Sequence, residues 1–237
     1  MKSFLRSCIL LFLLLFQFFF ITPLQGQTEG TQAEIRESIL NSNNITSAIF
    51  NYGSVGKPNY GSNRLDFVWN KLGYMFESGP LIAGEVVNDN SITLRIVSDS
   101  YILPSQGDYS PDGMEKWGWL PRPGYAKPGQ SKIATINDPD SWADEWGSVW
   151  PGENGPGQTW GLNEAYYVMD DFTNAEFPYY PFPSDLTKRG LGIKAEVRIY
   201  QPDGGMKDAI VLKYKLTNES PKALNKLYFG YFGDPHL

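Results

Sequence analysis

The chain has 237 residues, 41% hydrophobic and 15% aromatic, which suffices for one sizeable β domain or two small ones behind a leader. Its 26 acidic residues outnumber 20 basic ones. Without Lys2 and Arg6 the balance is about −8, which argues against nucleic acid and anionic membrane surfaces as partners. One cysteine (Cys8) and one histidine (His236, beside the chain end) speak against Ser-His-Asp or Cys-His catalysis and exclude a zinc site built from those residues.

Lys2 and Arg6 precede a 14-residue run, Cys8 to Ile21, broken only by Gln17. That is too short for a membrane span but suits the core of a signal peptide. Residues 1–26 are therefore expected to be removed after Gly26, leaving no membrane span and no cysteine in a secreted or surface-exposed chain. Residues 27–43 read as a polar N-terminal arm with a helix-compatible patch, AEIRESILN, and 44–237 as one domain. Within it, Ile45 to Phe50 is a strand candidate, NYGSVGKPNYGSN is loop, and LDFVW is a compact apolar run. Leu81 to Val87, the turn Asn88-Asp89-Asn90 and Ser91 to Leu103 read as a hairpin, with Ile92, Leu94 and Ile96 on one apolar face.

Between residues 104 and 184 periodicity is lost, except in Glu164 to Phe172, which fits a strand or a single helical turn. This stretch holds most of the prolines and six of the seven tryptophans, so it reads as a long aromatic loop insert. From Lys188 onward order returns. Ala195, Val197 and Ile199 alternate with polar neighbours, as do Ile210, Leu212, Tyr214 and Leu216. Turns at Pro202-Asp203-Gly204-Gly205 and Asn218 to Pro221 join these strands to Leu227–Phe232, and the three are expected to form an antiparallel meander. LYFGYF is expected to be an internal strand and the chain unfinished behind it, the alternative being an edge covered by Ile45 to Phe50. The fold class is all-β: an antiparallel β-sandwich-like domain with a Trp/Pro-rich loop region.

Three constellations carry possible chemistry. Asp108, Ser110 and Asp112 place oxygens at alternate positions before Gly113, as in the opening of a calcium loop, although Trp119 occupies the position where an EF-hand needs Glu. An ordinary Asx-type turn is the alternative. Trp117, Trp119, Trp142 and Trp146 offer rings for stacking on a polysaccharide, or else pack a region poor in aliphatics. Glu145 with Glu153, or Asp170 with Asp171, supply the two carboxylates that glycoside hydrolysis requires.

The phrases GDYSPDGMEKWGWLPRPGYA, EAYYVMDDFTNAEF, KRGLGIKAEVRIYQ and KYKLTNES followed by YFGYFGDPHL resemble the N-terminal region of large exported Bacteroidota-type proteins. Many of those carry a C-terminal type IX secretion sorting domain. The resemblance implies export, further β domains downstream in the same polypeptide, and a chain that is a fragment. It implies no reaction and brings no catalytic residue with it. The function expected is a non-catalytic structural or binding module of a surface or secreted protein that meets polysaccharide or cell-surface components. A carbohydrate-binding module and a polysaccharide-acting hydrolase are the alternatives.

Overall fold

A computed structural model describes residues 28–56, 67–101 and 107–235. The expected signal segment, most of the 51–63 loop and His236 lie outside the described residues. Eleven strands are found among those described: β1 (Glu37–Leu40), β2 (Ile45–Phe50), β3 (Val55–Gly56), β4 (Phe67–Trp69), β5 (Leu72–Val87), β6 (Thr93–Ser98), β7 (Leu120–Pro121), β8 (Asn163–Asp170), β9 (Ile193–Gln201), β10 (Val211–Asn218) and β11 (Lys226–Pro235). All pair antiparallel, in a seven-stranded sheet around the long β5 and a four-stranded sheet ordered β10-β9-β8-β7. The protein is all-β and sandwich-like, as its alternating patterns require.

The sheets meet over one core. Ile82, Val86 and Ile96 of the larger sheet pack with Ala165, Tyr167, Met169, Ala195, Val197 and Ile199 of the smaller. They approach closely at Gly84, where an added Cβ would stand 2.7 Å from the Leu191 side chain. The β5–β6 hairpin forms as its pattern predicts, its turn held by Asn88 Oδ1, which accepts from the N–H of Asn90 and of Ile92. Ile92 falls in the turn, 54% exposed, and the inward face consists of Leu94, Ile96 and Ser98 instead.

The segment expected as an N-terminal arm belongs to the larger sheet. Glu37–Leu40 is a strand paired with β2, and the helix-compatible patch contributes only a short 3-10 turn at Gln32–Glu34. The insert is likewise not structureless, because Glu164 to Phe172 contains β8, a central strand of the smaller sheet. Every residue of β8 is buried. Ala165, Tyr167 and Met169 enter the inter-sheet core, while Tyr166 and Val168 enter a second cluster with Ala126, Ala134 and Trp150 on the opposite face. Burial on both faces blurs the alternation that marks a half-buried strand, so this stretch fits a strand or a helical turn alike.

The three-stranded meander is a second correction. β9 and β10 pair over eight positions, from Val211↔Tyr200 to Asn218↔Ile193. The chain then crosses to the other sheet, where β11 pairs with β5 from Lys226↔Glu85 to Pro235↔Met75. β10 and β11 thus lie on the same side of the sandwich in different sheets, in contact through Tyr214, 5.2 Å from Phe229. β5 offers a long free edge that β10 does not need to supply, and the crossing places both apolar faces toward the shared core.

Candidate functional site

The aromatic residues form a layer, and the expected ring set is divided. Trp119 lies fully buried in the inter-sheet core, its backbone N–H donating to the Asp99 carbonyl at 2.8 Å. Trp150 is the buried centre of the outer cluster, with Trp146 edge-on at 5.5 Å and Trp142 at 5.6 Å. Trp142 and Trp146 are half-buried, and Trp142 turns its indole N–H inward to the Thr135 carbonyl at 2.6 Å. Trp117 is half-buried elsewhere, its backbone N–H bonded to the Asp108 carbonyl. The structure brings together Trp142 and Trp146 but joins neither to Trp117 or Trp119. Trp160, not singled out from sequence, is half exposed and stands edge-on to Tyr200. Beside Trp142 a cleft of about 390 Å³ is lined by Lys127, Asp140, Asp144 and Ser148, with Lys127 Nζ held 2.7 Å from Asp144 Oδ1.

The Asp108–Gly113 loop closes as a tight turn, with Ser110 N–H bonded to the Glu115 carbonyl and Gly113 N–H to the Ser110 carbonyl. Asp112 Oδ1 accepts from Ser110 Oγ at 2.5 Å and from Met114 N–H at 3.0 Å, in water at the tip. Asp108 points elsewhere, into a polar cluster with Asp99 and Lys116. Lys116 Nζ donates to the Tyr101 carbonyl at 2.7 Å and lies 5.0 Å from the centres of the Tyr52 and Tyr109 rings. Burial pushes the Lys116 ammonium down to about 8, against the pull of Asp99, Asp108 and Glu77. Burial, then the charges of Asp99 and Glu176, push the Asp108 carboxyl up to about 7. Among the described residues no group of three or more His, Cys, Asp or Glu side chains is placed to hold a metal ion.

The candidate carboxylates take separate partners. Successive side chains point to opposite faces, so Asp170 and Asp171 diverge. Asp170 Oδ2 accepts from Arg122 Nε at 2.6 Å and from Gly30 N–H at 2.9 Å. Asp171 reaches the other way, accepting from the N–H groups of Leu191 and Ile193 at 2.7 and 2.8 Å. Glu153 pairs with Lys213 and accepts from the Tyr200 hydroxyl, and Glu145 is exposed. Sequence reading missed Glu164, a buried acid bonded to Arg198, whose guanidinium lies 4.0 Å from the Tyr166 ring centre. Its signal was a charge at the start of an apolar run.

The two sides of the sandwich are finished differently. On one, the segment 131–136 runs between the sheets: Glu37 N–H donates to the Ser131 carbonyl, Ile133 N–H to Ser38 Oγ, Tyr166 N–H to the Ala134 carbonyl and Ile136 N–H to the Glu164 carbonyl. The short β7 on the smaller sheet's rim is capped where Thr31 N–H meets the Pro121 carbonyl. On the other side β10 pairs only with β9 and β11 only with β5, among the described residues. Inward-facing Leu227, Phe229 and Tyr231 remain 37%, 43% and 43% exposed there. Comparisons with protein-family models, with curated proteins and with solved structures return no match to this chain.

Proposed function

We propose that the chain is an exported, non-catalytic structural and binding module of a larger surface or secreted bacterial protein, which works through the open β10/β11 side of its sandwich. One observation carries this reading: the aromatic insert closes one side, while the other leaves inward-facing apolar residues and two strand edges without a cover among the described residues. Exposed strand edges and apolar patches are sites where further chain docks. Of the acidic side chains that suggested hydrolysis, Asp170 and Asp171 are engaged in ties of the fold, Asp170 to Arg122 and Asp171 to two backbone donors. Export is supported by the order of charge, short apolar run and small residue in 1–26.

Cell fractionation with N-terminal sequencing tests the reading. The chain is expected outside the cytoplasm, beginning near Gln27. Cytoplasmic chain that starts at Met1 overturns it. A carbohydrate-binding module is the second reading, favoured by the cleft beside Trp142. Affinity for a polysaccharide that Trp142→Ala abolishes, with folding intact, would select it instead.

A further inference from the structure

We infer that β11 is the docking edge for a second copy of this chain, the two β11 strands pairing antiparallel about Gly230 so that the larger sheets of both copies run on as one. The inference rests on the module reading above and names what occupies its open side.

Three observations lead to it. First, β11 is a ten-residue strand paired along its length with β5, and no backbone hydrogen bond reaches its other side among the described residues. Natural edges are blunted by lysine, proline, bulges or brevity. Here Lys226, Pro235 and the register shift at Asp234/Pro235 sit only at the two ends, and LYFGYF between them is undefended. Second, Leu227, Phe229 and Tyr231 point toward the inter-sheet space yet stay more than a third exposed, although Tyr214 stands 5.2 Å from Phe229 and 6.4 Å from Tyr231. A copy joined at this edge would continue both layers and cover those rings.

Third, the strand is complementary to itself. A two-fold axis perpendicular to a sheet pairs residues that share a face, so the axis must pass through a residue. Centred on Gly230, it sets Lys226 of each copy, already bonded to Glu85 of its own sheet, opposite Asp234 of the other, twice over. Tyr228 then faces Phe232 on the outer surface, and Phe229 faces Tyr231 within. Moving the centre to Phe229 sets Lys226 against Phe232, and moving it to Tyr231 sets Asp234 against Tyr228. Only the Gly230 register matches charge with charge and ring with ring. Gly230 also lacks a side chain where the two strands cross the axis.

Sedimentation equilibrium of the secreted, processed chain over a dilution series should show a dimer that dissociates on dilution. Hydrogen exchange should show the β11 amides that face away from β5 protected in the dimer and released in the monomer. Asp234→Lys changes an exposed side chain. It should weaken the dimer roughly tenfold, by setting like charges opposite at two places, without moving the melting temperature of the monomer. Lys226→Cys combined with Asp234→Cys should give a covalent dimer on oxidation. The two positions lie about 27 Å apart along one strand, too far to bridge within a chain. A chain monomeric at every concentration, bare or carrying an extended segment of another protein on β11, would overturn the inference. So would a dimer indifferent to Asp234→Lys that fails to cross-link. Correct export of a monomer removes the pairing and leaves the module reading standing; cytoplasmic retention of a dimer does the reverse.

Discussion

Asp108 keeps one carboxylate oxygen buried without a hydrogen-bond partner, and this decides how its environment acts on it. An unfolded Asp ionises near pH 4. Burial and the charges of Asp99 and Glu176 hold the folded carboxyl to about 7. Between those values the folded chain binds the extra proton, so its contribution is favourable below about pH 4 and is lost as pH rises toward 7. Asp108→Asn is expected to flatten the fall in stability over that window, measured by urea unfolding at a series of pH values. An unchanged slope would remove Asp108 from the account. Asp171 shares the direction, as burial pushes it up to about 7. Its two backbone donors give it a separate structural role. Asp171→Ala should cost about 2–5 kcal/mol, since both the Leu191 and Ile193 N–H groups would be left buried without an acceptor. A loss within experimental error in urea melts would contradict this. The residue types and spacing of 108–113 were legible in the sequence. The buried surroundings of Asp108 were not, because Lys116 and Asp99 come near it through tertiary packing.

At the level of elements, legibility followed burial. β6, β9 and β10 bury one face more than the other, and their alternation located them correctly. β8 buries both faces, and its sequence fits a strand or a single helical turn equally, although it lies at the centre of the smaller sheet. The edge position of β11 was also hidden, because an apolar strand looks the same in either sheet and only the crossing over 219–225 places it. The tryptophans were ambiguous for a related reason: ring-rich sequence suits a binding surface and a packing layer equally. Burial separates the two, with Trp150 1% and Trp160 50% exposed. Trp150→Ala should therefore remove about 3–5 kcal/mol of stability, as large core truncations do. Trp160→Ala should change it far less. Equal effects in matched urea titrations would mean that the outer cluster around Trp150 contributes little to holding the smaller sheet.

Over the whole molecule, the insert and the sandwich form one structure and do not behave as a core with an attachment. Trp119, Ile133 and Tyr179 come from residues 104–184 yet lie in the inter-sheet core. The same insert supplies β7 and β8, and through 131–136 it links β1 of one sheet to β8 of the other. Loss of the outer cluster would uncover Tyr166 and Val168, whose strand neighbours Ala165 and Tyr167 belong to the inner core. Neither layer can open without disturbing the other, which is the condition for a single cooperative transition. Six of the seven tryptophans lie in the insert, so their fluorescence reports mainly on the aromatic layer, whereas far-UV circular dichroism reports on both sheets. At one fixed chain concentration the two signals should follow the same urea curve, with one midpoint and one slope. Trp150→Ala should move both midpoints down together. Fluorescence that falls at lower urea while the sheet signal persists would show that the aromatic layer is a separable unit, and the sandwich would then have to hold β8 with one face bare.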